Sequence, residues 1–220
     1  MGESAGAQMK ALLGPVMVGM PAAFRDEEKS AIFKRPVEGR VALGMLGLEG
    51  DQVADTIHHG GPDMAVHHYP HDHYAFWEDF LGGHELLGAR GAFGENISTE
   101  GLSEETICIG DRFRMGSALV EVSQGRKPCW KIDHKFGRKG ITAKVVKTAR
   151  CGWYYRVIEA GEVAQGDTLE LVERAHDGWT VMRVFKLLLH KGGDAAELEE
   201  LAGLERLSAD WRGKAAKKLG

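Results

Sequence analysis

The sequence predicts a β-rich α+β protein that ends in a small three-helix domain. From about residue 15 to residue 173, short segments of alternating apolar and polar residues are separated by turns, which is the pattern of strands. After Arg174 this pattern stops, and three segments with helical spacing of apolar residues follow. We therefore expect a flexible N-terminus over residues 1–14, a β domain over residues 15–173 and a helical domain over residues 174–220.

Composition excludes several other classes of protein. The 220 residues are 43% hydrophobic and 27% charged, and the net charge of −4 gives no general affinity for nucleic acid or an anionic membrane. No segment has the length and apolar character of a membrane span. Cys108, Cys129 and Cys151 are too few for a disulfide framework or a four-thiolate zinc site. We expect reduced thiols and a cytoplasmic location.

The strands are predicted from alternation and from the turns between them. An apolar stretch over residues 11–24 favours a strand rather than a signal sequence, because prolines interrupt it and it lacks a clustered basic start. In the segment 117–124, alternation puts Gln124 on the same side as Val120 and Val122. The predicted strands cover residues 15–20, 31–34, 40–43, 64–69, 106–109, 112–115, 117–124, 152–158, 162–163 and 168–172.

The helices are predicted from apolar spacing and from residues that suit helix ends. A helix is expected to follow the tetrapeptide at residues 69–72, and a second one to run from Gly137 to Arg150 with a basic outer side. Three more are expected at residues 180–191, 194–202 and 208–218, with N-caps at Thr180, Asp194 and Ser208. This helical group is too small to be very stable alone, so we expect it to dock on the β domain or on a partner.

Histidines are concentrated in one region, but their spacing does not predict a metal site. His67 and His68 would point to opposite sides of a strand, and His71 and His73 diverge on a helix. The spacing matches no common zinc motif. We expect one or two of these side chains to line a pocket and the others to lie at the surface, with a histidine-centred zinc hydrolase as an alternative.

Residues 123–137 contain the best candidate for a functional thiolate. Pro128 suits the first position of a helix that stops at Gly137, which would put Cys129 in the first helical turn. Unpaired backbone N–H groups at such a position favour an anion. Three cationic side chains are close by in the sequence: Arg126, Lys127 and Lys131. Cys129 is therefore predicted to be a nucleophile or a ligand to a soft metal, the alternative being a small buried hydrophobe.

Four motifs, in order, resemble those of the MOSC domain, a module that binds the molybdenum cofactor and is named after cofactor sulfurases. They are Gly47-Leu48-Glu49-Gly50-Asp51, His59-Gly60-Gly61-Pro62-Asp63, Phe93-Gly94-Glu95-Asn96 and Ser123-Gln124-Gly125-Arg126-Lys127-Pro128-Cys129. The resemblance covers the chain from about Pro15 onward. It is strongest to the YiiM-type branch, in which a three-helix domain follows the MOSC barrel. It implies a MOSC-type β-barrel core over residues 15–173.

The resemblance also implies a cofactor and an activity. Cys129 matches the family cysteine, whose thiolate binds molybdenum in a molybdopterin-type cofactor, and thiolate is a soft ligand suited to that metal. The cofactor-binding positions that it implies are Arg126, Lys131, His59, Asp63 and Asn96. The implied activity is the reduction of N-hydroxylated compounds, in this branch especially N-hydroxylated purine bases such as 6-hydroxylaminopurine.

Electrons for such a reaction are expected to come from a separate reductase. The sequence has no Gly-x-Gly-x-x-Gly helix start for a flavin or nicotinamide nucleotide and no clustered cysteines for iron–sulfur. The expected partners are that reductase and a small N-hydroxylated substrate, without nucleic acid or membrane; the helical tail permits a homodimer. The alternative function is a sulfur carrier or cofactor-delivery protein with a persulfide on Cys129.

Overall fold

Short strands and six α-helices make up the part of the chain that the computed structural model describes, residues 9–55 and 60–220. The strands are β1 (Lys10–Leu12), β2 (Met17–Val18), β3 (Ala22–Arg25), β4 (Glu28–Ser30), β5 (Arg35–Pro36), β6 (Val41–Gly44), β7 (Gly47–Leu48), β8 (Val66–His68), β9 (Arg112–Met115), β10 (Ala118–Gly125), β11 (Trp153–Glu159), β12 (Gly161–Val163) and β13 (Thr168–Glu173). The helices are α1 (His73–Leu81), α2 (Lys131–Lys135), α3 (Ile141–Thr148), α4 (Val181–Leu189), α5 (Ala195–Ala202) and α6 (Ala209–Leu219).

The main sheet has six antiparallel strands in the order β1-β13-β9-β10-β11-β8 and curls into a half-barrel. Smaller sheets of β12-β6-β7, β2-β5 and β3-β4 accompany it. The core on this sheet is apolar and aromatic, with Phe113, Trp153 and Tyr155 fully buried. The predicted β-rich α+β class with C-terminal helices is confirmed.

The central strand β10 is buried along its whole length. Val120 and Val122 are inaccessible to solvent in the core, as alternation predicts. Between Val122 and Gln124, however, the pairing with β11 shifts register, as at a β-bulge. A bulge re-aims the side chains that follow it, so the predicted alternation does not extend to Gln124.

Three predicted elements are wrong in their bounds. The flexible N-terminus was predicted to reach residue 14, but Lys10–Leu12 forms the edge strand β1, which pairs with β13 and so satisfies backbone groups of β13 that would otherwise be unpaired. Residues 31–34 lie between β4 and β5 rather than in a strand. Residues 106–109 form no strand but one isolated antiparallel β-bridge, Cys108 to Thr180, in which the N–H of Ile109 donates to the Trp179 carbonyl at 2.9 Å; a turn follows, closed by the N–H of Cys108, which donates to Asp111 at 2.9 Å.

The helices of the C-terminal domain begin where the sequence predicts. The side chains of Thr180, Asp194 and Ser208 accept hydrogen bonds from backbone N–H groups in the first turns of α4, α5 and α6. The basic helix is shorter than predicted, Ile141–Thr148, and is preceded by the separate α2.

The C-terminal domain docks on the β domain, one of the two arrangements expected. Arg206 forms an ion pair with Glu173 at 2.6 Å and lies 3.5 Å from the buried carboxylate of Glu121. The ring of Trp211 packs beside β10, so close that a Cβ on Gly125 would lie 3.0 Å from it. Among the described residues, no helix combines the length and apolar character that crossing a bilayer requires.

Candidate functional site

Two adjoining clefts open beside Cys129. The inner cleft, of about 100 Å³, is lined by Asp51, His67 and Arg126 among others. The outer cleft, of about 880 Å³, lies between the segment around Cys129 and the first turns of α6. Cys129, Met64, Lys131 and Tyr154 contribute to both. The inner cleft has room for a small group only, whereas the outer one has the volume of a typical small-molecule site.

Cys129 is a free, half-buried cysteine at the junction of the two clefts. It lies two residues before α2 begins at Lys131, so the prediction that it belongs to the first helical turn is wrong. Its carbonyl accepts a bond from the N–H of Ile132 at 3.1 Å, so Cys129 lies in the tight turn that leads into α2. The hydroxyl oxygen of Thr142 lies 3.3 Å from the same carbonyl oxygen. The thiol is therefore carried on a fixed backbone.

Arg126 and Lys131, both predicted cofactor-binding residues, line the inner cleft. Arg126 is buried, and among the described residues its guanidinium forms no ion pair with a carboxylate. A buried, unneutralised cation costs free energy, which an anionic ligand would recover. Lys131 approaches the carbonyl of Lys29 at 3.5 Å and reaches both clefts.

Asn96 lines the inner cleft, but its amide is used to hold the wall together. Its Nδ2 donates to the Met17 carbonyl at 3.0 Å and to Asp51 at 2.8 Å, while its Oδ1 accepts from the N–H of His67 at 3.0 Å. The Lys34 ammonium and the N–H of Gly19 bind the other oxygen of Asp51. The structure therefore gives Asn96 a positioning role.

Asp63, also predicted to bind the cofactor, does not reach either cleft. Its carboxylate forms an ion pair with Arg156 at 2.7 Å, and its carbonyl accepts a bond from Ser123 at 2.6 Å. Those contacts tie its segment to β10 and β11, which makes Asp63 a structural residue. His59, the remaining predicted residue, lies outside the described residues.

His67 is a cleft residue that the predicted set of site residues omitted, although one or two histidines were expected in a pocket. Its imidazole is 3% exposed, and neither ring nitrogen has a hydrogen-bond partner of good geometry within the described part of the chain. Burial, followed by the positive charge of Arg126, holds the pKa of His67 well below its ordinary value, so the ring is neutral. The sequence feature that could have identified His67 is its position in the strand after the glycine-rich loop. Four histidines lie in that region, however, and their pattern does not distinguish His67 from the others.

Two further histidines, His68 and His73, have structural roles. His68 is bound between Tyr155 at 3.1 Å and Thr99 at 3.0 Å, and burial lowers its pKa to about 3. His73 bonds to the buried Glu104 at 2.7 Å. Within residues 9–55 and 60–220, no group of three or more histidine, cysteine or acidic side chains could hold a metal ion, so nothing there supports the zinc alternative.

A further buried cation adds to the positive character of this region. The ammonium of Lys135 donates to the carbonyls of Ile32 at 3.0 Å and Gly91 at 2.7 Å. Burial lowers its pKa to about 8, and the charges of Arg126 and Lys34 act in the same direction. A soft thiol donor beside a cleft with unneutralised positive charge suits an anionic ligand that carries a soft metal.

Comparison with known proteins defines the class of this chain. The MOSC domain family matches residues 55–170, and the YiiM-like 3-alpha helix domain matches residues 179–219. The chain therefore belongs to the MOSC domain family, with the three-helix domain of its YiiM-like members.

Individual relatives agree with this assignment. The chain is 43% identical over 204 residues to protein YflK of Bacillus subtilis (strain 168), covering 91% of each. It is 41% identical over 197 residues to protein YiiM of Escherichia coli (strain K12), covering 89% of this chain and 87% of that one. The crystal structure of YiiM from Escherichia coli matches 96% of this chain and 92% of its own with a TM-score of 0.80.

A third relative carries a functional name. A protein of Gibberella moniliformis (strain M3125 / FGSC 7600) named "Reductase" is 37% identical over 167 residues, which cover 76% of this chain but only 30% of that protein.

Proposed function

We propose that the protein is a molybdenum-cofactor-dependent reductase of N-hydroxylated compounds, with N-hydroxylated purine bases such as 6-hydroxylaminopurine as preferred substrates. The observation that carries this proposal is the half-buried thiol of Cys129 at the junction of a small, positively charged cleft and a cleft of about 880 Å³. Membership of the MOSC family and the relative named "Reductase" support an oxidoreductase of this kind.

The residues at the site fit the proposed cofactor. Cys129 offers a soft sulfur ligand, which molybdenum accepts beside the dithiolene sulfurs. Arg126, buried without a carboxylate partner in the described part of the chain, would neutralise an anionic group such as a phosphate. Lys131 would add a second positive charge, and the unpartnered imidazole of His67 a hydrogen bond.

The reaction proposed is a two-electron reduction. When bound, the cofactor supplies oxygen-atom acceptance and electron transfer, so that R–NHOH, two electrons and two protons give R–NH2 and water. The chain binds and orients the substrate in the outer cleft. Tyr154 borders both clefts, and burial raises the pKa of its phenol, which keeps the proton on its oxygen at neutral pH. That phenol can therefore donate a hydrogen bond to the substrate oxygen.

Electrons would come from a separate reductase, because the sequence carries no nucleotide-binding glycine motif and no cysteine cluster. A chemical electron donor can replace that partner in an assay.

The first experiment measures molybdenum and pterin per chain and then the reduction of 6-hydroxylaminopurine with a chemical donor. We expect near-stoichiometric metal in the wild type, and in Cys129→Ala a loss of most molybdenum and at least a 100-fold fall in kcat/KM. Cys108→Ala, which removes a buried thiol outside both clefts, is the matched control and should keep both. Unchanged metal and activity in Cys129→Ala would exclude the assigned ligand.

The same samples test the alternative of a sulfur carrier. A labile sulfane sulfur on Cys129 without molybdenum would favour the carrier or cofactor-delivery function over the reductase.

A further inference from the structure

The outer cleft is bounded by both domains. On one side are Gln124, Pro128 and Trp130 of the β domain, and on the other are Asp210 and Trp211 of α6. Trp211 is 1% exposed and packs against Phe185 and the backbone of Gly125, so this wall is fixed. A ligand that reaches Cys129 through the outer cleft would contact the helical domain.

Gln124 presents an unpaired amide in this cleft. The residue is 5% exposed, and among the described residues no hydrogen bond uses its side chain. Its amide atoms are nevertheless not fully enclosed by protein, and the residue lines the outer cleft. Because a largely buried amide without a partner costs free energy, this group is suited to pair with a ligand.

The backbone conformation at the end of β10 determines the direction of the Gln124 side chain. In a regular strand Gln124 would join Val120 and Val122 in the core, but the register shift after Val122 breaks the alternation. The irregular position is held at Ser123, whose hydroxyl donates to the carbonyl of Asp63 at 2.6 Å and lies 3.1 Å from the carbonyl oxygen of Tyr154. The Ser123 carbonyl also accepts from the N–H of Ser208 at 2.9 Å.

We propose that the side-chain amide of Gln124 recognises the substrate by pairing with an amidine edge, in which a ring nitrogen accepts and a neighbouring exocyclic N–H donates. A primary amide carries an acceptor oxygen beside N–H donors, and glutamine uses this pair to bind the edge of adenine. Trp130, 39% exposed, lines the same cleft, and the guanidinium of Arg25 lies 4.1 Å from the centroid of its ring. The inference rests on the proposed function, whose substrate class it narrows to heteroaromatic bases with this edge.

The test is equilibrium binding of two bases to the full chain, followed by tryptophan fluorescence. Trp130 and Trp211 line the cleft and report its occupancy. Adenine carries the complete edge, whereas 6-dimethylaminopurine has the same ring without the exocyclic N–H. We expect the wild type to bind adenine at least 10-fold more tightly than 6-dimethylaminopurine, since a good bidentate pair discriminates by about 10- to 100-fold.

Variants assign the discrimination to one side chain. Gln124→Met, of similar length but without the amide, should weaken adenine binding about 10-fold or more and leave 6-dimethylaminopurine unchanged. Gln124→Glu keeps the shape and loses the N–H donor, so it should weaken adenine binding as well. Gln165→Met, in the exposed turn before β13, is the matched control and should bind both bases as the wild type does.

Equal affinity of the wild type for the two bases, or wild-type adenine affinity in both Gln124 variants, would overturn the inference. Because the test measures binding without turnover, its result does not depend on whether the proposed reductase activity is correct. Discrimination that depends on Gln124 in a protein without molybdenum would support base recognition and contradict the reductase. Molybdenum-dependent reduction with no effect of Gln124 on base binding would support the reductase and contradict base recognition by Gln124.

Discussion

At the scale of single residues, the environment rather than the residue type decides the role of each histidine. His67 and His68 are neighbours on β8, and both are almost fully buried. His68 has two hydrogen-bond partners and fills the core, whereas the ring of His67 has none among residues 9–55 and 60–220 and lines the inner cleft. Alternation correctly predicted that the two would face opposite sides.

The buried imidazole of His68 predicts a dependence of stability on pH. Its pKa is about 3 in the folded protein and about 6.5 when unfolded, so between these values the unfolded chain binds more protons. The contribution of the neutral His68 ring to the free energy of unfolding is therefore complete above pH 6.5 and is lost as the pH falls toward 3. For this group, the free energy of unfolding should fall by about 2 kcal/mol from pH 7 to pH 5.

Urea unfolding of the wild type and of His68→Gln at both pH values measures this effect. The variant will be less stable overall because it loses packing, but its loss between pH 7 and pH 5 should be smaller by about 2 kcal/mol. Equal pH slopes would contradict the assignment.

At the scale of elements, the short helices around the site depend on contacts between segments. The carboxylate of Asp133 in α2 accepts bonds from the N–H of Gly140 at 3.0 Å and from the N–H and hydroxyl of Thr142 at 2.7 and 2.8 Å. It therefore supplies the cap that α3 lacks from its own N-cap residue, Gly140. Thr142 in turn reaches the carbonyl of Cys129. This chain of contacts fixes the backbone that carries the thiol.

Asp133→Ala is expected to lower the free energy of unfolding by about 1–2 kcal/mol, because a helix cap and the hydrogen bonds to Thr142 are lost together. Asp133→Asn keeps an acceptor oxygen and serves as the control, with less than half of that loss. Thermal unfolding followed by circular dichroism provides the measurement. Equal stability of the alanine variant and the wild type would show that α3 does not need this cap.

How well the start of each helix could be predicted depends on how far apart in the sequence the interacting residues lie. The N-caps Thr180, Asp194 and Ser208 were predicted correctly because each cap side chain accepts from a backbone N–H within three residues of it. The start of α2 was predicted three residues too early, because Pro128 satisfies the local preference for a first helical position but the backbone around Cys129 is held by Thr142 of another helix.

At the scale of the whole molecule, the helical domain is part of the β domain's cleft. Trp211 packs against β10, Arg206 pairs with Glu173 of β13, and the first turn of α6 lines the outer cleft. The two domains are therefore expected to unfold together.

Trp211→Ala is expected to destabilise the entire chain by about 3–5 kcal/mol, since it removes a large, fully buried side chain at the domain contact. Trp130→Ala, at a residue that is 39% exposed, is the matched control and should cost much less. Urea unfolding followed by circular dichroism and by fluorescence tests this, and the two probes should give coincident transitions. A separate early transition of the helices would contradict a single cooperative unit.

Local patterns in the sequence were sufficient for the fold class, the helix caps and the motif resemblance, and Cys129 and Arg126 both line a cleft. Local patterns were insufficient for Asp63, whose carboxylate is paired with Arg156, and for Gln124, which a register shift removes from the core face. The physical reason is distance along the chain. Strand register, ion pairs and the docking of α6 join residues dozens of positions apart, and their energies depend on the folded geometry and not on the neighbours in the sequence.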